Sequence, residues 1–87
     1  MHVTVVSPER AVFDGAADAV VAPAYDGQVG ILSRHAPFLT LLGTGVLQVR
    51  QGSAASRFAV SRFQVSGGFL QVVGDAVRVV ADRGEAA

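Results

Sequence analysis

The chain has 87 residues, 51% of them hydrophobic and 16% charged, with seven Arg set against seven Asp and Glu and with neither Lys nor Cys. That balance leaves no basic footprint for nucleic acid or anionic lipid, and without Cys the fold has no disulfide or thiolate metal site. A domain this small buries little more than ~60% of its unfolded surface, so a half-apolar composition predicts greasy surface left over for a partner.

The N-terminus, Met-His-Val-Thr-Val-Val-Ser-Pro, lacks the charged start and long apolar core of a signal peptide, and no apolar stretch approaches the ~20 residues of a membrane span. The expectation is a soluble chain not exported by that route and not inserted in a bilayer. Val3, Val5 and Ser7 alternate with His2, Thr4 and Val6, as in a strand that ends at Ser7-Pro8. Ala11-Val12-Phe13 is a second short strand stopped by Asp14-Gly15, and Ala17 to Ala22 a third closed by Pro23.

The stretch from Ala24 to Gly45 differs from its surroundings. Asp26-Gly27 is a turn signal, because Gly takes the positive φ such turns need and Asp tolerates it. Gly30 interrupts the apolar run Gln28 to Leu32, which predicts a bulge or a closely approaching backbone. Pro37 forces a bend at His35-Ala36-Pro37. After it, Phe38-Leu39-Thr40-Leu41-Leu42 offers apolar side chains to both faces of a strand.

Val46 to Arg50 continues the strand pattern. Ser56-Arg57-Phe58-Ala59-Val60 is then followed by Ser61-Arg62-Phe63-Gln64-Val65, a five-residue repeat. An odd step would point Phe58 and Phe63 to opposite faces, so either a bulge near Ser61 restores the register or one Phe lies in the core and the other on a covered outer face; the bulge is the preferred expectation. Phe69 to Val73 and Ala76 to Val80 flank Gly74-Asp75, a two-residue hairpin signal of the II′ kind. No segment keeps a 3.6-residue period. The fold class is all-β, a two-layer sandwich of about eight to ten short strands over residues 1–82. Residues 83–87 form a polar tail without a core pattern, at most a frayed stub of helix.

Catalytic chemistry is thinly represented. The two His lack the paired spacing of a metal site. Asp26, Ser33 and His35 are near in sequence, but a triad is defined by geometry and the flanking bend suits a docking loop better. Gly43-Thr44-Gly45 lacks a following helix for a phosphate, and each Asp-Gly or Gly-Asp pair is explained by a turn. No catalytic, cofactor-binding or metal-ligating residue is assigned. The pairs Leu41-Leu42, Val72-Val73 and Val79-Val80 matter more: in a two-layer protein each sheet has an outer face, so some of these side chains face a partner or water.

With those residues in place, the chain resembles the N-terminal β-sandwich domain of the epsilon subunit of F-type ATP synthases. The resemblance is carried by Val5-Val6-Ser7-Pro8-Glu9 with Val12-Phe13-Asp14-Gly15, by Gly27 to Leu32 running into His35 to Thr40, by Gly67 to Val72, and by Val77 to Asp82. It implies a non-catalytic rotor part at the foot of the central stalk that links the gamma subunit to the c-ring and couples proton translocation to ATP synthesis. Such a part lies peripherally on the cytoplasmic face of the energy-transducing membrane. Position by position, the loop of Asp26, Gly27, Gln28 and Val29 would meet the c-ring, and Ser7, His35, Thr40, Leu41 and Leu42 would lie toward gamma. The family's C-terminal pair of helices, which can brake hydrolysis and in some members binds ATP, is expected to be absent from this chain. Two further departures are Ser33-Arg34, where a Pro-Gly pair is common, and a longer segment between Gly45 and Gly67. The alternative is a free-standing β-sandwich module that binds a protein or small ligand.

Overall fold

The structure, a computed structural model, describes residues 1–33, 36–52 and 59–87. It consists of eight strands: β1 (His2–Ser7), β2 (Arg10–Ala16), β3 (Ala19–Ala24), β4 (Gly27–Leu32), β5 (Phe38–Leu41), β6 (Thr44–Gln51), β7 (Ala59–Val73) and β8 (Ala76–Ala86). They form one sheet in the order β2-β1-β8-β7-β6-β3-β4, with β5 also paired to β7. All neighbours are antiparallel except β1 and β8.

The sheet becomes two layers because of β7. Its first half pairs with β6 and its second half with β5, in one unbroken register from Gln51↔Ala59 to Phe38↔Val72. Residues 38–51 therefore act as a single long strand nicked at Leu42-Gly43. Opposite the nick sit Gly67 and Gly68, with φ of +70° and +103°, a backbone that only glycine adopts without strain. Across them the buried parity changes: Phe63 and Val65 face the core on one side, Leu70 and Val72 on the other. The long strand opposite changes too, from Leu42 to Leu47 and Val49. The two halves of the long strands thus line different layers, with the core between them.

That core is aliphatic. Ile31, Leu47 and Leu70 are fully buried together with seven Val from β1, β3, β6, β7 and β8. Phe63 is buried and meets Phe13 edge-on, with ring centroids 5.9 Å apart. Among the described residues no buried side-chain nitrogen or oxygen lacks a hydrogen-bond partner.

Several local expectations are corrected. The register past Ser61 is regular; the irregularity lies between Val5 and Val6, where β2 carries the extra residue Val12. Phe58 lies outside the described residues. Gly30 pairs regularly with Val21, and a methyl group there would touch nothing within 4 Å. Asp14 and Gly15 do not stop β2 but pair with Thr4 and Val3. The loop of the β3–β4 hairpin is Tyr25-Asp26, with Gly27 already in β4 at φ +134°. Gly74-Asp75 is a two-residue hairpin loop between paired Val73 and Ala76. Residues 83–86 are not a separate tail: they extend β8, with Gly84 opposite Val65 and Ala86 opposite Phe63. A backbone ladder needs no apolar pattern, so these polar residues gave no strand signal.

Gly68 and Gly30 test this account. An added Cβ at Gly68 would overlap the Val80 carbonyl oxygen. Gly68→Ala is expected to cost roughly 3 kcal/mol or more in urea denaturation. Gly30→Ala should leave stability unchanged or raise it by up to about 1 kcal/mol.

Candidate interaction surface

The outer face of the β5–β7–β8–β1 layer is unusual. Cross-strand pairing sets Leu41 beside Phe69, Phe69 beside Val80, Val80 beside Val6 and Val6 beside Ala11. This row runs across five strands and has no polar member. Leu41 is 62% exposed and Phe69 37%, while Val6 and Val80 are half-buried. Leu39 and Val73, also exposed, extend the apolar surface on the same face. Alternation explains the arrangement: within each doublet one side chain faces the core and the next faces out. Leu42, Val72 and Val79 are buried, so Leu41, Val73 and Val80 are the outward members.

At the β5 end of this row the surface opens into a groove of about 920 Å³. One wall comes from the β3–β4 hairpin, with Ala24, Tyr25, Asp26, Gln28 and Val29; the other comes from Phe38 to Leu41 of β5, backed by Phe69 and Gln71. The walls meet where Tyr25 N–H donates to the Leu41 carbonyl at 3.1 Å and Gly43 N–H donates to the Pro23 carbonyl at 2.8 Å. Tyr25 is 69% exposed beside the groove.

The residues singled out in the sequence are distributed around this groove as follows. Asp26, Gly27 and Gln28 are exposed at the hairpin tip, and Val29 is half-buried against the core. Thr40 is half-buried and its hydroxyl donates to the Leu41 carbonyl at 3.4 Å. Asp26, Gln28, Val29, Thr40 and Leu41 therefore share one groove, although the sequence placed them in two separate groups. Ser7 does not line it; this residue is 9% exposed and its hydroxyl donates to the Arg10 carbonyl at 3.3 Å across the β1–β2 turn. His35 lies outside the described residues. Leu42 is a correction: it is 5% exposed and belongs to the core, so its side chain is not available to a partner.

Tyr25, Leu39 and Phe69 were missed by the sequence reading. For Leu39 the signal was present in the unbroken apolar run around it. Tyr25 sits in the two-residue hairpin loop and Phe69 directly after the glycine pair inside β7, where the alternation is interrupted.

No helix among the described residues is long and apolar enough to cross a membrane, and no group of three His, Cys, Asp or Glu is placed to hold a metal ion. The division between Leu41 and Leu42 can be measured. Leu42→Ala is expected to destabilise the domain by about 2–5 kcal/mol and Leu42→Asp to unfold it, whereas Leu41→Ala should stay within about 0.5 kcal/mol of the parent in urea denaturation.

Known proteins share this architecture and sequence. The family model described as ATP synthase, Delta/Epsilon chain, beta-sandwich domain matches residues 1–87. The ATP synthase epsilon chain of Nostoc sp. strain PCC 7120 is 45% identical over 85 residues, covering 98% of this chain and 60% of the relative. That of Desulforamulus reducens is 45% identical over 83 residues, covering 95% and 59%. The chain thus spans about 60% of the length of these relatives. Among solved structures, the Euglena gracilis mitochondrial ATP synthase (OSCP/F1/c-ring) contains a chain that superposes with a TM-score of 0.81 at 19% identity over 97% of this chain and 51% of that one. The central stalk and c-ring of the Tetrahymena thermophila mitochondrial enzyme gives 0.77 at 21% identity over 99% and 66%. Those two likenesses show a shared fold. With the sequence match over its whole length, the chain belongs to the β-sandwich family of ATP synthase delta and epsilon chains.

Proposed function

We propose that this domain is a non-catalytic rotor piece of an F-type ATP synthase, gripping the gamma subunit with the apolar row of β5, β7, β8 and β1 and resting the β3–β4 hairpin tip on the c-ring. The observation that carries the reading is the row Leu41–Phe69–Val80–Val6. A soluble domain rarely leaves a contiguous apolar strip uncovered unless a partner covers it. The two-layer body supplies the second requirement. Torque passes through a piece that keeps its shape, and a strand framework crossing both layers on continuous backbone ladders resists shear between them.

Gamma and the ring need different surfaces, and the domain has both. The row is apolar and built on paired strands, which suits a permanent contact. The hairpin tip is exposed and polar at Asp26 and Gln28, which suits the polar loops of a membrane ring. On this reading the domain lies peripherally, at the cytoplasmic face of the membrane, and couples proton translocation to ATP synthesis without a reaction of its own.

Two measurements test the two surfaces separately. Phe69→Asp and Leu41→Asp each place a carboxylate in the contact and are expected to reduce gamma capture at least about tenfold, with the free domain still folded and unfolding cooperatively in urea. Full gamma binding by both variants overturns the apolar-row assignment. The chain has no native thiol, so a photo-crosslinker on Gln28→Cys reports one position only. In the assembled enzyme it is expected to label the c subunit, and labelling of any other subunit alone removes the ring contact.

A further inference from the structure

The long strand made of residues 38–51 is paired with β7 along its whole length, but its other edge is only partly covered. β3 pairs with Gln48, Val49 and Arg50 and reaches Leu42 through a single bridge from Ala24. It then turns away at Tyr25-Asp26. Past that point β7 is the only described strand that pairs with β5.

The hydrogen-bond phase shows which groups are left. Leu42 N–H donates to the Gly68 carbonyl at 3.0 Å, so Leu42 and Gly68 are a hydrogen-bonded pair. In an antiparallel ladder such pairs alternate; Thr40↔Leu70 is then bonded, and the backbone groups of Leu39 and Leu41 point away from β7. The Leu41 carbonyl takes the Tyr25 N–H. That leaves the N–H and C=O of Leu39 and the N–H of Leu41 facing the groove, in line with the end of β3.

Edge strands are normally blunted by charge, proline or a bulge. The other two edges are better protected: β2 carries Arg10, Asp14 and a bulge, and β4 carries a polar residue, Gln28, and two glycines without side chains to pack. β5 reads Phe-Leu-Thr-Leu, has no charge, exposes its own Leu39 and Leu41, and lies beside exposed Tyr25. An unprotected edge beside an apolar groove is the surface that strand addition uses, with main-chain bonds giving affinity and alternate side chains filling pockets.

We propose that the partner occupies this groove by adding a strand to the free edge of β5. The inference rests on the rotor reading above and specifies how gamma is held. The occupant is an extended segment of about four residues, roughly 14 Å, to match β5, with apolar side chains at alternate positions against Leu39, Leu41 and Phe69. Among the described residues lining the groove only Asp26 is charged, and it sits at the hairpin tip that the rotor reading gives to the ring, so the segment turns uncharged side chains toward β5.

The test compares two substitutions at one position in the complex of this chain with gamma. Leu39→Ala removes the side chain and keeps the outward N–H. Leu39→Pro removes the N–H as well, at a site where proline obstructs no bond within the domain. Strand addition predicts that Leu39→Pro weakens gamma binding about tenfold more than Leu39→Ala; equal losses overturn it. Amide hydrogen exchange on the unsubstituted chain gives a second readout, independent of whether the proline variant folds. The Leu39 and Leu41 amides should exchange at least about tenfold more slowly in the complex. Gamma bound with both amides still exchanging freely overturns the inference and leaves the rotor reading standing, whereas failure of gamma to bind at all overturns both.

Discussion

The fold depends on two adjacent glycines held at positive φ, Gly67 and Gly68. A strand of β7's length, 15 residues, would in a flat sheet expose half its side chains on each face throughout. Bending the backbone there reverses which side chains face inward, and one sheet then encloses its own core. β8 and the nicked strand of residues 38–51 follow the same corner because they are paired to β7 on either side. Gly68 is also where the Val80 carbonyl passes closest, so no side chain could be accommodated. Closing the sheet this way leaves few edges, and those that remain differ in chemistry.

That difference connects fold to function. The nick at Leu42-Gly43 lets β3 cross to the second layer but leaves β5 at the rim of the first, where among the described residues the outward N–H groups of Leu39 and Leu41 and the Leu39 carbonyl take no bond from β3. The same nick fixes Leu42 in the core and sends Leu41 out. A strand that would be an aggregation hazard in a free-standing protein is consistent with a piece permanently covered in a larger assembly. In the rotor role proposed above, load placed on β5 would pass directly into β7 and β8 through the continuous ladders behind it. The hairpin tip at Tyr25-Asp26 projects beside that strand, so surfaces proposed for two different partners lie next to each other.

Much of this was legible before any coordinates. The absence of a 3.6-residue period and the spacing of Gly and Pro indicated an all-strand body, and the motifs from Val5 to Asp82 carried the family resemblance. The doublets Leu41-Leu42, Val72-Val73 and Val79-Val80 showed that both faces of the strands were apolar, because alternation is a local property that each segment displays on its own. The expected hairpin at Gly74-Asp75 formed because a two-residue turn is fixed by the residues within it.

What the tertiary structure alone decided was which member of each doublet faces out, where the register shifts, and how far β8 runs. None of these is local. The inward parity of β7 is set by a corner two or more residues away from the core side chains it reorients, and Gly67-Gly68 looks in sequence like an ordinary turn. The polar end of β8 became strand because β7 offered it a backbone ladder, for which side chains give no signal. The grouping of Asp26 and Gln28 with Thr40 and Leu41 likewise arises from a bridge between Ala24 and Leu42. Local chemistry determined the strands, while pairing between distant segments determined the surface they present.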